Sequence, residues 1–286
     1  MALVTRPGAS LARVLTAGAG WTKGAVLEFE DVELRFEGIT AIDGITFHVQ
    51  ANELFSIIGP NGAGKTSIFN CLSGLYRPQH GAIRFLGQDI MGMSPHGIAR
   101  MGMARTFQNI ELFHNLTVVE NLMLGRHHHV DYGPLAAMVR LGLAARREIE
   151  HREVIEEIID FLEIEPHRRH PVGLLPYGIK KRVELGRALA MDPKLLLLDE
   201  PVSGMNVEET EDMARFILDI REELGIPIIL VEHDMGVVMD LADRVLAVDF
   251  GRAIACDVPG NIQHNPDVVR AYLGKEHAVA AAAEHG

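Results

Sequence analysis

The hydrophobic pattern changes character along the chain. LEFEDVELRF (27–36) and ITFHV (45–49) alternate apolar and polar residues. That is the two-residue period of strands with one wet face, and it predicts an antiparallel subsheet. Later strand-like runs are different. ELFSII (53–58), the LLLL run before Asp199, and PIILVE (227–232) are continuously apolar, as expected of strands covered on both faces of a parallel sheet. Helical spacing lies between them. SIFNCLSGL follows the first run, and HREVIEEIIDFLE sets Val154, Ile158 and Leu162 four residues apart with Ile155 and Ile159 beside them. This predicts an amphipathic helix packing on a core. Roughly Val118 to His170 reads as mostly helical. Strand-like and helix-like segments alternate from Leu54 onward, which predicts an α/β fold.

Candidate chemistry sits at the ends of the apolar runs. GPNGAGKTS comprises Gly59, Pro60, Asn61, Gly62, Ala63, Gly64, Lys65, Thr66 and Ser67. It fits the phosphate-loop pattern and has the strand-before, helix-after context that the pattern needs. Glycines let backbone N–H groups approach phosphates without Cβ clashes. The helix N-terminus adds partial positive charge. Lys65 is a cation for the β- and γ-phosphates, and the Thr66 hydroxyl suits Mg²⁺. The LLLL run ends in Asp199 and Glu200, where ligands sit in open α/β sheets. Asp199 is placed to hold a Mg²⁺ hydration shell, and Glu200 to act as general base on an attacking water. Gln108, in ARTFQNIELF, can bind metal or water. His233, after PIILVE, can donate to a γ-phosphate or help place the water. A lone histidine after a strand is more often structural; order and spacing change that weighting.

These motifs resemble the ATP-binding subunits of ABC transporters. The resemblance spans about Leu27 to Lys275, with GPNGAGKT, Gln108, LPYGI, LLLLDEP, SGMN and His233 in the family's order. It implies a P-loop NTPase fold with a RecA-like parallel core, an antiparallel β subdomain and a helical subdomain at about 118–192. The ATPase domain would cover 25–275, after a disordered extension at 1–24 and before a flexible tail at 276–286. Phe36 matches the family's adenine-stacking aromatic. Two subunits would meet head to tail, so that ATP on one phosphate loop is covered by the signature turn of the other, here Leu175 to Ile179 with Tyr177 and Gly178 facing the nucleotide. ARTFQNIELFHNLTVVENLMLG, the long insert after it, LPYG, DEPVSGMN and the ending NPDVVRAYLG resemble the ATPases of branched-chain (hydrophobic) amino acid uptake. That subgroup implies ATP and Mg²⁺, a second and different ATPase, two membrane permeases touching the region around Gln108 to Gly125, and an external binding protein. Related cassettes serve urea, amides, aromatic acids or lipopolysaccharide export, and some ABC ATPases work without a transporter.

The departures from the family are informative. Where the superfamily has L-S-G-G-Q, this chain has Pro176, Tyr177 and Ile179 in place of serine, the first glycine and glutamine. Pro176 offers neither hydroxyl nor N–H, which points to unequal sites in a heterodimer. Asn206 stands where aspartate is usual. With Glu209 it forms an N-x-x-E pattern resembling a capping box, compatible with an added interface role.

Charge narrows the partners. The net charge of −12 disfavours a nucleic-acid surface, and Lys180–Lys181–Arg182 is expected to be one solvated helix face. Two isolated cysteines imply no disulfide framework and fit a reducing compartment, with Cys71 a small core residue. No apolar stretch reaches the length of a membrane span, so the chain is expected at the cytoplasmic face of the membrane, held there by partners. Arg13 interrupts any signal-like apolar segment. His127, His128 and His129 do not share a helix face and read as a polar loop.

Overall fold

The computed structural model describes residues 7–15, 24–106, 110–126 and 141–272. The chain divides into two compact units. One comprises Met1–Gly20, Arg100–Leu196 and Pro201–Ile226; the other comprises Trp21–Ala99, Leu197–Glu200 and Pro227–Gly286.

The second unit carries the strands. β1 (Leu27–Phe36), β2 (Ile39–Val49), β4 (His80–Phe85) and β5 (Gln88–Asp89) form an antiparallel sheet in the order β2-β1-β4-β5. The alternation in the sequence therefore builds the expected subsheet, with register shifts along β1 that begin at Asp31. Asp31 takes φ 46°, and the register shifts between Phe29 and Val32. The Asp31 amide leaves the ladder and donates to Thr46 Oγ1 at 2.9 Å. Phe29 stacks on Phe47, and Phe47 on Phe55 of β3 (Leu54–Ile58), with centroids 4.8 and 5.2 Å apart. This ladder of rings joins the antiparallel sheet to the larger one.

The larger sheet of this unit runs β10 (Arg252–Asp257), β9 (Arg244–Asp249), β3, β8 (Ile228–Val231), then the end of β7 (Leu195–Asp199). β3 is parallel to both β8 and β9. Every residue of β3, β7 and β8 is buried, which explains their mainly apolar composition. Glu53, just ahead of β3, is buried but answered by Arg244 at 3.0 Å.

The first unit is mainly helical. α4 (Val118–Arg126), α5 (Leu141–Phe161), α6 (Tyr177–Leu189) and α7 (Val207–Leu224) provide its framework. In α5, Val154, Ile155, Ile158, Ile159 and Leu162 just beyond it are all buried, as their spacing predicts. Short β6 (Met103–Arg105) begins where Gly102 O accepts from the amides of Lys194 and Leu195, at the start of β7.

Two expectations fail here. Pro7–Val14 forms a helix, α1, where disorder was expected over 1–24. Leu11 and Leu15 lie one turn apart and are buried, and α1 packs on α5 and α7. Residues 1–6, 16–23 and the tail 276–286 lie outside the described residues. The Lys180–Lys181–Arg182 run is also not one solvated face. Lys181 is only 3% exposed and lies 3.8 Å from Glu184. Lys180 reaches the Gly173 carbonyl, and Arg182 pairs with Asp212 above the Phe216 ring. Successive helical residues point about 100° apart, so three in a row cannot share a face.

Candidate functional site

The phosphate loop leaves β3 and enters α2 (Lys65–Leu72) through three glycines of positive φ: Gly59 at 155°, Gly62 at 82° and Gly64 at 109°. Two are required by space as well as by backbone. A Cβ on Gly59 would collide with the Val248 carbonyl, and one on Gly64 would lie 2.6 Å from the Ala41 carbonyl. The loop is stitched to its surroundings through the Gly251 amide on Ala63 O and the Asp43 amide on Gly251 O. Gly64 caps α2 without any side-chain bond, and the start of a helix is where an anion is favoured. Lys65 is buried and turns its ammonium back onto the carbonyls of Gly59 and Pro60. Thr66 is exposed at the first turn.

Strand register brings the other polar groups to this end of the sheet. Ile57 of β3 is level with Val231 of β8. Gly59 and His233 therefore emerge two residues beyond the same register pair, on neighbouring parallel strands. Glu200 donates its amide to the Val231 carbonyl at 2.8 Å, which fixes the end of β7 beside both. Glu200 has φ 49°, an uncommon conformation for a residue with a Cβ and one that clusters at functional sites. Its neighbour Asp199 is buried at the strand end. The His233 ring is 58% exposed, with Nδ1 3.8 Å from Glu200 Oε2.

Glu232 was not legible as a site residue. Its side chain is fully buried, accepts the His233 amide at 3.1 Å and lies 3.8 Å from His233 Nδ1. Nothing in PIILVE distinguishes a carboxylate that turns inward from one that meets water.

Phe36 ends β1 at the hairpin edge, 42% exposed, and meets Tyr76 edge-on at 5.0 Å. The contact of Gly64 with Ala41 ties the β1–β2 hairpin to the phosphate loop.

Tyr177 and Gly178 belong to the first unit, at the start of α6. Pro176 is the cap and contributes no side-chain bond. Tyr177 Oη donates to the Ser203 carbonyl at 3.0 Å. Burial pushes the Tyr177 phenol up, with a smaller push from the Glu184 charge. A Cβ on Gly178 would collide with the Glu209 carboxylate, so packing inside this unit alone demands glycine there. Asn206 and Glu209 form a complete capping box at the start of α7. Gln108 and His127–His129 lie outside the described residues.

Thr66, exposed in the first turn of α2, and Asp199, at the end of β7, both offer oxygen donors. Such donors suit a hard cation such as Mg²⁺.

The family described as ABC transporter matches residues 42–203, more than half of the chain and all of it between the β1–β2 hairpin and the segment after Glu200. The chain belongs to the ABC transporter family. It is an ABC ATPase, a nucleotide-binding and ATP-hydrolysing cassette. It is 39% identical to the high-affinity branched-chain amino acid transport ATP-binding protein BraF of Pseudomonas aeruginosa, over 87% of this chain and 98% of that protein. It is 36% identical to the corresponding protein LivG of Escherichia coli K12, with the same shares covered. A solved ABC transporter cassette, MJ1267 in its ADP conformation, is similar with a TM-score of 0.76 at 28% identity, covering 88% of this chain and all of that one. The ABC fold expected from the motifs, with parallel and antiparallel strands and a helical portion, is the fold observed.

Proposed function

We propose that this chain is the ATP-hydrolysing subunit of an importer for branched-chain or related hydrophobic amino acids. The observation that carries the substrate class is the likeness, over nearly the full length of both chains, to BraF and LivG. Cassettes for lipopolysaccharide export and soluble ABC ATPases are the less favoured readings.

In the mechanism that this geometry supports, ATP phosphates enter the phosphate loop. Lys65 exchanges the Gly59 and Pro60 carbonyls for phosphate oxygens, while the amides at the start of α2 receive the anion. Phe36 stacks on adenine. Thr66 and Asp199, with Gln108, would hold Mg²⁺, which when bound offsets the charge of the phosphates. Glu200, held at the strand end by its amide bond to Val231, takes the proton of the attacking water. His233 orients that water or donates to the γ-phosphate. The signature turn around Tyr177 and Gly178 covers the nucleotide of a second subunit, a different ATPase. Closing and opening of the pair drives two permeases that meet the segment Gln108 to Gly125, and an external binding protein delivers the substrate. Among the described residues no helix is long and apolar enough to cross a membrane. Contact with those permeases is what would hold the subunit at the cytoplasmic face of the membrane.

Purification of the tagged chain from its native membranes in mild detergent tests this. Two permeases and a second, different ATPase are the expected companions. Recovery with ribosomal proteins, or with no other chain, would overturn the importer reading.

A further inference from the structure

The ending NPDVVRAYLG has no role in the mechanism above, yet the structure brings residues 268–272 of it close to the start of the phosphate loop. Residues 266–272 are helical. Val268 is buried in a cluster with Ile58, Val238, Val245, Ala247 and Ile262, and Tyr272 packs against the same cluster. Ile58 is the last residue of β3, immediately before Gly59. The Tyr272 ring therefore lies under the point where the chain leaves the sheet to become the phosphate loop.

The Tyr272 hydroxyl is buried and makes no well-aligned hydrogen bond. Burial pushes the phenol above its ordinary range, and the Gly59 backbone amide acts on it in the opposite direction, so that amide lies close to the hydroxyl. Asp249, at the end of β9, likewise keeps a buried Oδ1 without a partner. It lines a hollow of about 300 Å³ with Ile254, Asp267, Arg270 and Ala271, next to Tyr272 in the chain. Buried polar atoms of this kind call for an explanation. Gly59 is the residue whose carbonyl holds Lys65 and on which a Cβ would collide with the Val248 carbonyl.

We propose that Tyr272 is a positioning residue for nucleotide binding: its hydroxyl braces the Gly59 N–H, so that the helix at 266–272 sets the entry of the phosphate loop. The Gly59 N–H belongs to the peptide that leaves Ile58, one link ahead of the Gly59 carbonyl that holds Lys65. This rests on the reading that ATP binds at residues 59–67.

The test is equilibrium binding of ATP to the full chain, with thermal unfolding measured without nucleotide. Tyr272→Phe keeps the ring and removes only the hydroxyl. Its ATP affinity is expected to fall about fivefold, the scale of one hydrogen bond, while the nucleotide-free midpoint holds. Tyr272→Leu is expected to lower the midpoint as well, because the ring is lost. Unchanged affinity in Tyr272→Phe would overturn the proposal. So would a midpoint that falls in step with the affinity, since that marks a packing residue only. A wild-type chain that fails to bind ATP would instead sink the nucleotide site itself.

Discussion

The Nδ1 atom of His233 stands 3.8 Å from the Glu200 carboxylate and at the same distance from the carboxylate of Glu232. One of these acids is fully buried and the other is held at the strand end in a left-handed backbone conformation. Of the two, Glu200 keeps 17% of its side chain exposed and Glu232 none.

Glu200→Gln is therefore expected to cut ATP turnover at least about tenfold, the low end of what a general base contributes, with ATP binding preserved. Steady-state hydrolysis and equilibrium binding on the same preparation check it. Near-normal turnover would remove Glu200 from the base role.

Phe36→Ala addresses the adenine end. The ring is half exposed and touches Tyr76 only by its edge, which leaves a face for a base. One such stack is worth about 1–3 kcal/mol, so ATP affinity should fall by about fivefold or more. If affinity stays put, adenine stacks elsewhere.

Asn206→Ala removes half of the capping box at α7, where Asn206 Oδ1 accepts the Glu209 amide at 3.0 Å and Glu209 answers the Asn206 amide at 3.1 Å. Loss of such a cap costs about 0.5–2 kcal/mol. Urea unfolding should show a lower midpoint at unchanged slope, and Asn206→Ser should recover most of it. A wild-type midpoint in the alanine variant would show that the cap contributes nothing to stability.

Cys71 is buried in α2, and burial pushes its thiol from 9.0 to about 12. In the folded chain at pH 8 only about one in ten thousand of these thiols is ionised, so a thiol reagent should modify exposed Cys256 first and Cys71 only on unfolding. Stability has a matching signature. Below pH 9 the thiol is neutral in both states. As pH rises from 9 toward 12 the unfolded chain gives up its proton first, and this site's share of stability declines by about 1.4 kcal/mol per pH unit. Cys71→Ala should lose that part of the alkaline slope. Equal labelling rates for the two cysteines would contradict the burial.

Much of this arrangement was legible because its signals are local. The phosphate loop declares itself through glycines that only glycine geometry satisfies. The buried strands are mainly apolar runs, and the Asn206–Glu209 box needs only four residues. What could not be read depends on where distant atoms end up. The interruption of β1 at Asp31 needs Thr46 of the next strand to receive the displaced amide. The burial of Lys181 depends on Glu184 being turned inward with it. Glu232 is an ordinary strand-end acid until the fold closes over it, and α1 exists because Leu11 and Leu15 find cover against α5 and α7.

The bond from Tyr177 to the Ser203 carbonyl has a consequence for engineering. Gly204, the next residue, has φ 79°, and a Cβ there would sit 3.4 Å from the Tyr177 ring. The tyrosine is thus a strut between two segments 26 residues apart in sequence. Grafting the superfamily's L-S-G-G-Q onto Leu175–Ile179 would withdraw the strut and leave its far footing, Ser203–Gly204, unsupported. Signature sequences of this type are not interchangeable parts; a working transplant would have to carry the Ser203–Gly204 turn with it.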